Sequence, residues 1–139
     1  MPVVNTSMPV SRHTRFNVVQ VSAAETSRTA PTAAKLLLDA GDSPNGLVWL
    51  KAKQQAAGTT TAGVIRFYLR NPGDEWFLMH ELLVTAITPS ASVQAANGTY
   101  EPESRTVIPH GWRLYVGTHN AETFNVMAWA ADFEKDAGD

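Results

Sequence analysis

The chain has 139 residues, 44% hydrophobic and 17% charged, with a formal net charge of −2 and no cysteine. That length suits one domain burying roughly two-thirds of its unfolded surface, and the charge lacks the basic footprint of a nucleic-acid binder. Without cysteine, disulfides, thiolate nucleophiles and Cys-ligated zinc are excluded. A charged fraction below the usual ~25% points to surface covered by neighbours in an oligomer or assembly. No stretch reaches the ~18 apolar residues of a membrane span, and MPVVNTSMPVSRHTR has no apolar core of signal-peptide length. A soluble protein made in the cytoplasm is therefore expected.

Met1 to Arg15 is polar, contains two prolines and has no periodicity, which predicts an arm that is disordered or extended in solution, or, in the sharper reading, one that orders by lying on a neighbouring subunit. Residues 16–139 are expected to form one β-domain. Phe16 to Val21 reads as the first strand, SAAETSRTAPTAAK as a long loop broken by Pro31, and Leu36 to Ala40 as a short strand. Gly41 to Gly46 (GDSPNG) is a turn. In LVWLKAK, Leu47, Trp49 and Lys51 alternate with Val48, Leu50 and Ala52, and QQAAGTTTAG reads as a flexible hairpin loop. VIRFYLR puts Ile65, Phe67 and Leu69 in the core, with Arg66 and Arg70 on a wet opposite face beside Val64 and Tyr68.

After the Asn71–Asp74 turn, residues 75–87 balance helix-favouring Leu, Met and Glu against a β-branched ending, and the strand reading is preferred. Asn97-Gly98 is the strongest hairpin signal, since a type I′ turn needs φ > 0 at both central residues. Arg105 to Pro109 reads as strand-like, His110-Gly111 as a corner and WRLYVGT as another strand. TFNVMAWAADF closes the domain with Phe124, Val126, Ala128 and Ala130 opposing Asn125, Met127, Trp129 and Ala131. A charged tail, EKDAGD, follows.

Motifs that carry chemistry are missing. His13, His80, His110 and His119 show no H-x-H or H-x-x-x-H spacing that would place two imidazoles on one face. Neither G-x-S-x-G nor a phosphate loop occurs. Acids such as Asp39, Asp42, Asp74 and Glu101 fall at turns, where solvated carboxylates sit. Trp49, Trp76, Trp112 and Trp129 fit core residues or subunit-contact anchors, with a stacking platform for sugar as the competing reading.

The strand TTTAGVIRFYLRN, the segment HELLVTAITPSAS, the ending VIPHGWRLYVGTHNAETFNVMAWAADF and the turn-and-strand SPNGLVWLKA together resemble a group of small tailed-phage virion proteins. In that group a proline–glycine corner leads into a strand of the form L-x-V-x-T, and an acidic–aromatic pair, here Asp132-Phe133, closes the last strand. The resemblance spans roughly Ala30 to Phe133. It implies an all-β, jelly-roll-like antiparallel sandwich serving as a capsid decoration or cement protein, or alternatively as a neck, tail or fibre module that binds carbohydrate through exposed aromatics.

Physics and resemblance together lead to the expectation of a non-enzymatic virion component without cofactor, metal or catalytic residues. Its expected partners are copies of itself, a trimer being favoured, and the major capsid protein or other virion proteins. Nucleic acid and membrane are not expected, and glycan is the competing ligand. The third reading is a small hydrolase in which acids such as Glu81 or Glu101 are brought together by folding.

Overall fold

The computed structural model describes residues 14–103 and 106–133. Eight strands follow one another: β1 (Thr14–Val21), β2 (Lys35–Asp39), β3 (Leu47–Ala56), β4 (Gly63–Arg70), β5 (Trp76–Val84), β6 (Asn97–Tyr100), β7 (Arg113–Thr118) and β8 (Phe124–Asp132). Their pairing is nested and antiparallel: β4 with β5, β3 with β6, β2 with β7 and β1 with β8. The chain thus runs out as a long ribbon from the β4–β5 turn. The ribbon is rolled up by two further pairings, β3 with β8 and β4 with β7. The result is two four-stranded sheets, β1-β8-β3-β6 and β2-β7-β4-β5, which is the strand order of a jelly-roll antiparallel sandwich, the fold that the resemblance implies.

The core fills from unequal contributions. The β1-β8-β3-β6 sheet presents small residues inward, among them Ala52, Ala56, Ala128 and Ala130. Opposite them stand Ile65, Phe67, Leu114 and Val116 from the other sheet, all fully buried. Small against large is how two inner faces interdigitate at crystal-like density. Phe67 meets Tyr100 across the sandwich with ring centroids 5.5 Å apart.

Residues 75–87 resolve as strand, with β5 covering Trp76–Val84. Four expectations fail locally. The hairpin loop starts later than its composition suggests, because Gln54, Gln55 and Ala56 continue β3 and pair with Val126, Asn125 and Phe124. Alternation breaks in LVWLKAK, where a register shift between Val48 and Lys51 lets Leu47, Leu50 and Ala52 all face the core. Asn97-Gly98 is no turn: it opens β6 and pairs with Gln55 and Gln54. Of the segment from Arg105 to Pro109, Arg105 lies outside the described residues, and Ile108 forms only an isolated bridge to Leu47.

Thr14 and Arg15, assigned to the arm by composition, already belong to β1. The rest of that arm and the EKDAGD tail lie outside the described residues.

Candidate functional site on the outer face of the β1-β8-β3-β6 sheet

Cross-strand rows define this face. Phe16, Trp129 and Lys51 form one row; Val18, Met127, Lys53 and Thr99 the next; Gln20, Asn125, Gln55 and Asn97 the last. The face is therefore graded, apolar at one end and carboxamide at the other, where Gln20 Nε2 donates to Asn125 Oδ1 at 3.1 Å. At the apolar end Phe16 lies on Trp129 with centroids 5.4 Å apart. Phe16 is 55% exposed and Val18 50% exposed. Contiguous aromatic and aliphatic side chains left in water mark a contact surface more than scattered ones do.

Trp49 joins this end through the bulge. Its φ of 57° is left-handed, a conformation that bulky side chains rarely adopt. Between Val48 and Lys51 the extra residue turns Leu50 inward and Trp49 outward. Trp49 and Trp129 then line one groove of about 340 Å³ with Leu50, Lys51, Glu101 and Pro102. Lys51 Nζ stands 3.8 Å from Glu101 Oε2.

The other two tryptophans lie with the opposite sheet. Trp76 sits edge-on to Tyr115 at 4.7 Å under the Arg70 guanidinium, 4.6 Å from the ring centre. Trp112 packs against the core and against Phe77. Sequence periodicity could not separate these pairs, because the bulge decides where Trp49 points.

The outer face of the β2-β7-β4-β5 sheet holds what the sequence reading missed. Arg66, expected in water, is 1% exposed. Its Nε donates to Glu81 at 2.8 Å, its Nη1 to the Glu25 carbonyl at 2.8 Å, and both terminal nitrogens reach His119 Nδ1 at 3.2 Å. A guanidinium only donates, so His119 Nδ1 accepts. The cover is the β1–β2 loop. Its Glu25 carboxylate accepts from the backbone nitrogens of Ser27, Thr32 and Ala33, and Tyr68 donates to the Ser27 carbonyl at 2.6 Å. Burial, with the Glu25 charge adding to it, pushes the Tyr68 hydroxyl up to about 12. The available signal was loop length: a long polar connection between short strands has to lie on something.

The remaining candidates are dispersed. His13 lies outside the described residues. His80 stacks on Tyr100 at 4.0 Å, and His110 donates from Nδ1 to the Ser43 carbonyl at 3.0 Å. Among the described residues no three His, Asp or Glu side chains are placed to hold a metal ion. Asp74 pairs with Arg70 and Arg113, Asp39 accepts from the Gly41 nitrogen, and Asp42 pairs with Arg15. Asp132, the acid of the closing acidic–aromatic pair, accepts from Arg15 Nε at 2.9 Å and from Ser43 Oγ at 2.8 Å. The hydrogen bond from Arg15 to Asp132 raises the Arg15 guanidinium above its ordinary value. Glu81 and Glu101 are not brought together: the first is held by Arg66 and Arg28 on one sheet, the second faces Lys51 in the groove of the other.

A scan of the sequence against protein-family models finds no match, and a search of curated proteins finds none.

Proposed function

We propose that this protein is a non-enzymatic structural component of a tailed-phage virion, a decoration or cement protein that adheres to a shell through one side of its sandwich. The observation that carries the reading is the contrast among its four sheet edges. Exposed edges invite pairing with other chains, and proteins blunt them by shortness, bulges or charge. β6 has only four residues. β2 has five, begins with Lys35 and carries a register shift. β5 pairs through a register shift and bears Glu81. β1 alone is eight residues long in unbroken register. Its single charged residue, Arg15, is drawn to Asp132, and Phe16 and Val18 stand exposed on its outer face. Its contacts with β2 are side-chain ones: Asn17 Nδ2 donates to the Leu37 carbonyl at 3.0 Å, and Lys35 Nζ caps the Gln20 carbonyl at 2.7 Å.

Among the described residues no strand pairs with the outer edge of β1, and such an edge supports assembly by strand addition or side-to-side packing. Mass action then stabilises whatever assembled state it binds. Low overall charge fits the same role.

The test is quantitative mass spectrometry of purified particles of the phage whose genome carries this sequence. A copy number comparable to the major shell protein supports a decoration role. A small fraction moves the protein to a neck, tail or fibre, and complete absence from particles overturns the virion reading.

A further inference from the structure

We infer that the groove between Trp49 and Trp129 is a binding site for a neutral saccharide. Three observations converge on it. Trp49 is held at a φ of 57°, and left-handed backbone at a bulky residue concentrates where a side chain has been aimed for a purpose. The bulge that holds it separates Leu50, buried in the core, from Trp49, 39% exposed on the surface. Trp129 reaches the same groove from the neighbouring strand β8, steadied by Phe16 on its far side.

The chemistry of the lining selects the ligand. Two indoles among the lining residues supply flat apolar surface of the kind that stacks on the C–H face of a pyranose ring. Lys51 and Glu101 supply one cationic donor and one anionic acceptor, 3.8 Å apart and each more than half exposed. A donor beside an acceptor matches vicinal hydroxyl groups. Their charges cancel, so the groove favours neither a phosphate nor a cation. Mostly apolar lining with a few placed polar groups is the ordinary composition of a small-molecule site. Single-stranded nucleic acid also stacks on aromatics, but it needs a cationic track for its backbone. Lys51, the one cation among the described residues that line the groove, is already opposed by Glu101.

This assignment stands apart from the virion reading and is tested on the isolated protein. The probes are a glycan array, tryptophan-fluorescence titration with the oligosaccharides it selects, and a mixed-sequence single-stranded oligonucleotide. The expected result is saturable binding of a neutral oligosaccharide and none of the oligonucleotide. Trp49→Ala and Trp129→Ala should each weaken binding by about tenfold or more, and Trp76→Ala on the opposite sheet should leave it unchanged. Since truncating a tryptophan can disturb the fold, Glu101→Gln provides a second variant at an exposed side chain, and it too should weaken binding. An array without neutral-saccharide binding overturns the assignment. So does binding of the oligonucleotide alone, or saccharide binding that survives both Trp49→Ala and Glu101→Gln.

Discussion

Arg66 on β4 donates its Nε hydrogen to Glu81 on β5 across 2.8 Å, with the guanidinium side chain 1% exposed and the carboxylate 28% exposed. The pair lies on the outside of the sandwich, yet the β1–β2 loop covers it. Burying a cation is costly unless it is paired and hydrogen-bonded. Here the guanidinium also donates to the Glu25 carbonyl and to His119, so the loop that buries Arg66 supplies part of its hydrogen bonding. Arg28 donates to the same Glu81 oxygen at 2.7 Å from the loop side. The cluster therefore pins a polar loop to a sheet in place of apolar packing.

Replacing Glu81 with Gln should destabilise the domain by about 2 kcal/mol at neutral pH, since hydrogen bonds to charged groups contribute about 1.5–3 kcal/mol. Burial pushes the Glu81 carboxyl up, but hydrogen bonds from Arg66 and Arg28 outweigh it and hold the carboxyl below its ordinary value. A depressed carboxyl contributes stability above its unfolded value of about 4.3, and that contribution is lost as pH falls through the folded value. Chemical denaturation of both proteins from pH 7 to pH 3 checks this. The gap between them should be widest at neutral pH and close in acid; a gap independent of pH would sink the assignment.

Gln54 offers the opposite case. It sits inside β3 with 0% exposure, and neither its amide nitrogen nor its amide oxygen has a hydrogen-bond partner among the described residues. Its row neighbours are Val126 and Gly98. Gln54→Met keeps the length and nearly the volume while removing the desolvated amide, and should stabilise the fold by about 1–3 kcal/mol. Calorimetry should record a rise in Tm of roughly 3–8 °C. A fall would show that the amide is satisfied in solution.

Turn chemistry and period-two alternation were enough to read a run of short strands in one β-domain, because most strands have one wet and one dry face; the jelly-roll order depends on pairings between strands far apart in sequence. The failures occur where a side chain's surroundings come from distant sequence. Arg66 alternates like any solvent-facing residue, and only the covering loop, with Glu25 some forty positions away, buries it. Trp49 follows the alternation until the bulge inverts it. Asn97-Gly98 has the composition of a type I′ turn, yet Gly98 serves another need. A Cβ there would meet Leu82 Cδ2 of the opposite sheet at 3.0 Å and Gln54 Nε2 at 3.3 Å. The site was less legible still, since the Trp49–Trp129 groove depends on that bulge and on strands far apart in sequence.

Gly98→Ala should therefore act through crowding. Both contacts are ends of flexible side chains, so we expect about 1 kcal/mol of destabilisation, largely relieved in the double mutant with Leu82→Ala. Gly46→Ala should be worse. Gly46 has a φ of 88°, and a Cβ would run into the Ile108 backbone oxygen, which cannot give way. Denaturation midpoints of Gly98→Ala, Leu82→Ala, their double mutant and Gly46→Ala test the ranking and the coupling. Equal penalties at both glycines, or no coupling with Leu82, would refute this explanation.

Val18→Lys tests the open edge. Val18 is half exposed, so the substitution should alter monomer stability by no more than about 0.5 kcal/mol. A lysine on an edge strand blocks chain addition, and particle occupancy measured by quantitative mass spectrometry should drop severalfold. Sedimentation velocity should show the same loss for any self-association present in the parent. Unchanged occupancy with an intact fold would remove β1 from the contact.

Trp49 sets folding against the groove most directly. Its left-handed backbone costs on the order of 1–3 kcal/mol, which glycine would not incur. Against that, the exposed indole contributes only partial burial. Trp49→Gly should then leave the domain as stable as the parent or slightly more so, because relief of strain offsets the lost contact with the groove. Trp112→Gly, by comparison, removes a side chain packed on the core and should cost about 3–5 kcal/mol. A residue whose removal spares the fold while abolishing saccharide binding is kept for the groove. If Trp49→Gly proves as damaging as Trp112→Gly, the indole is a packing element and the strain has no functional meaning.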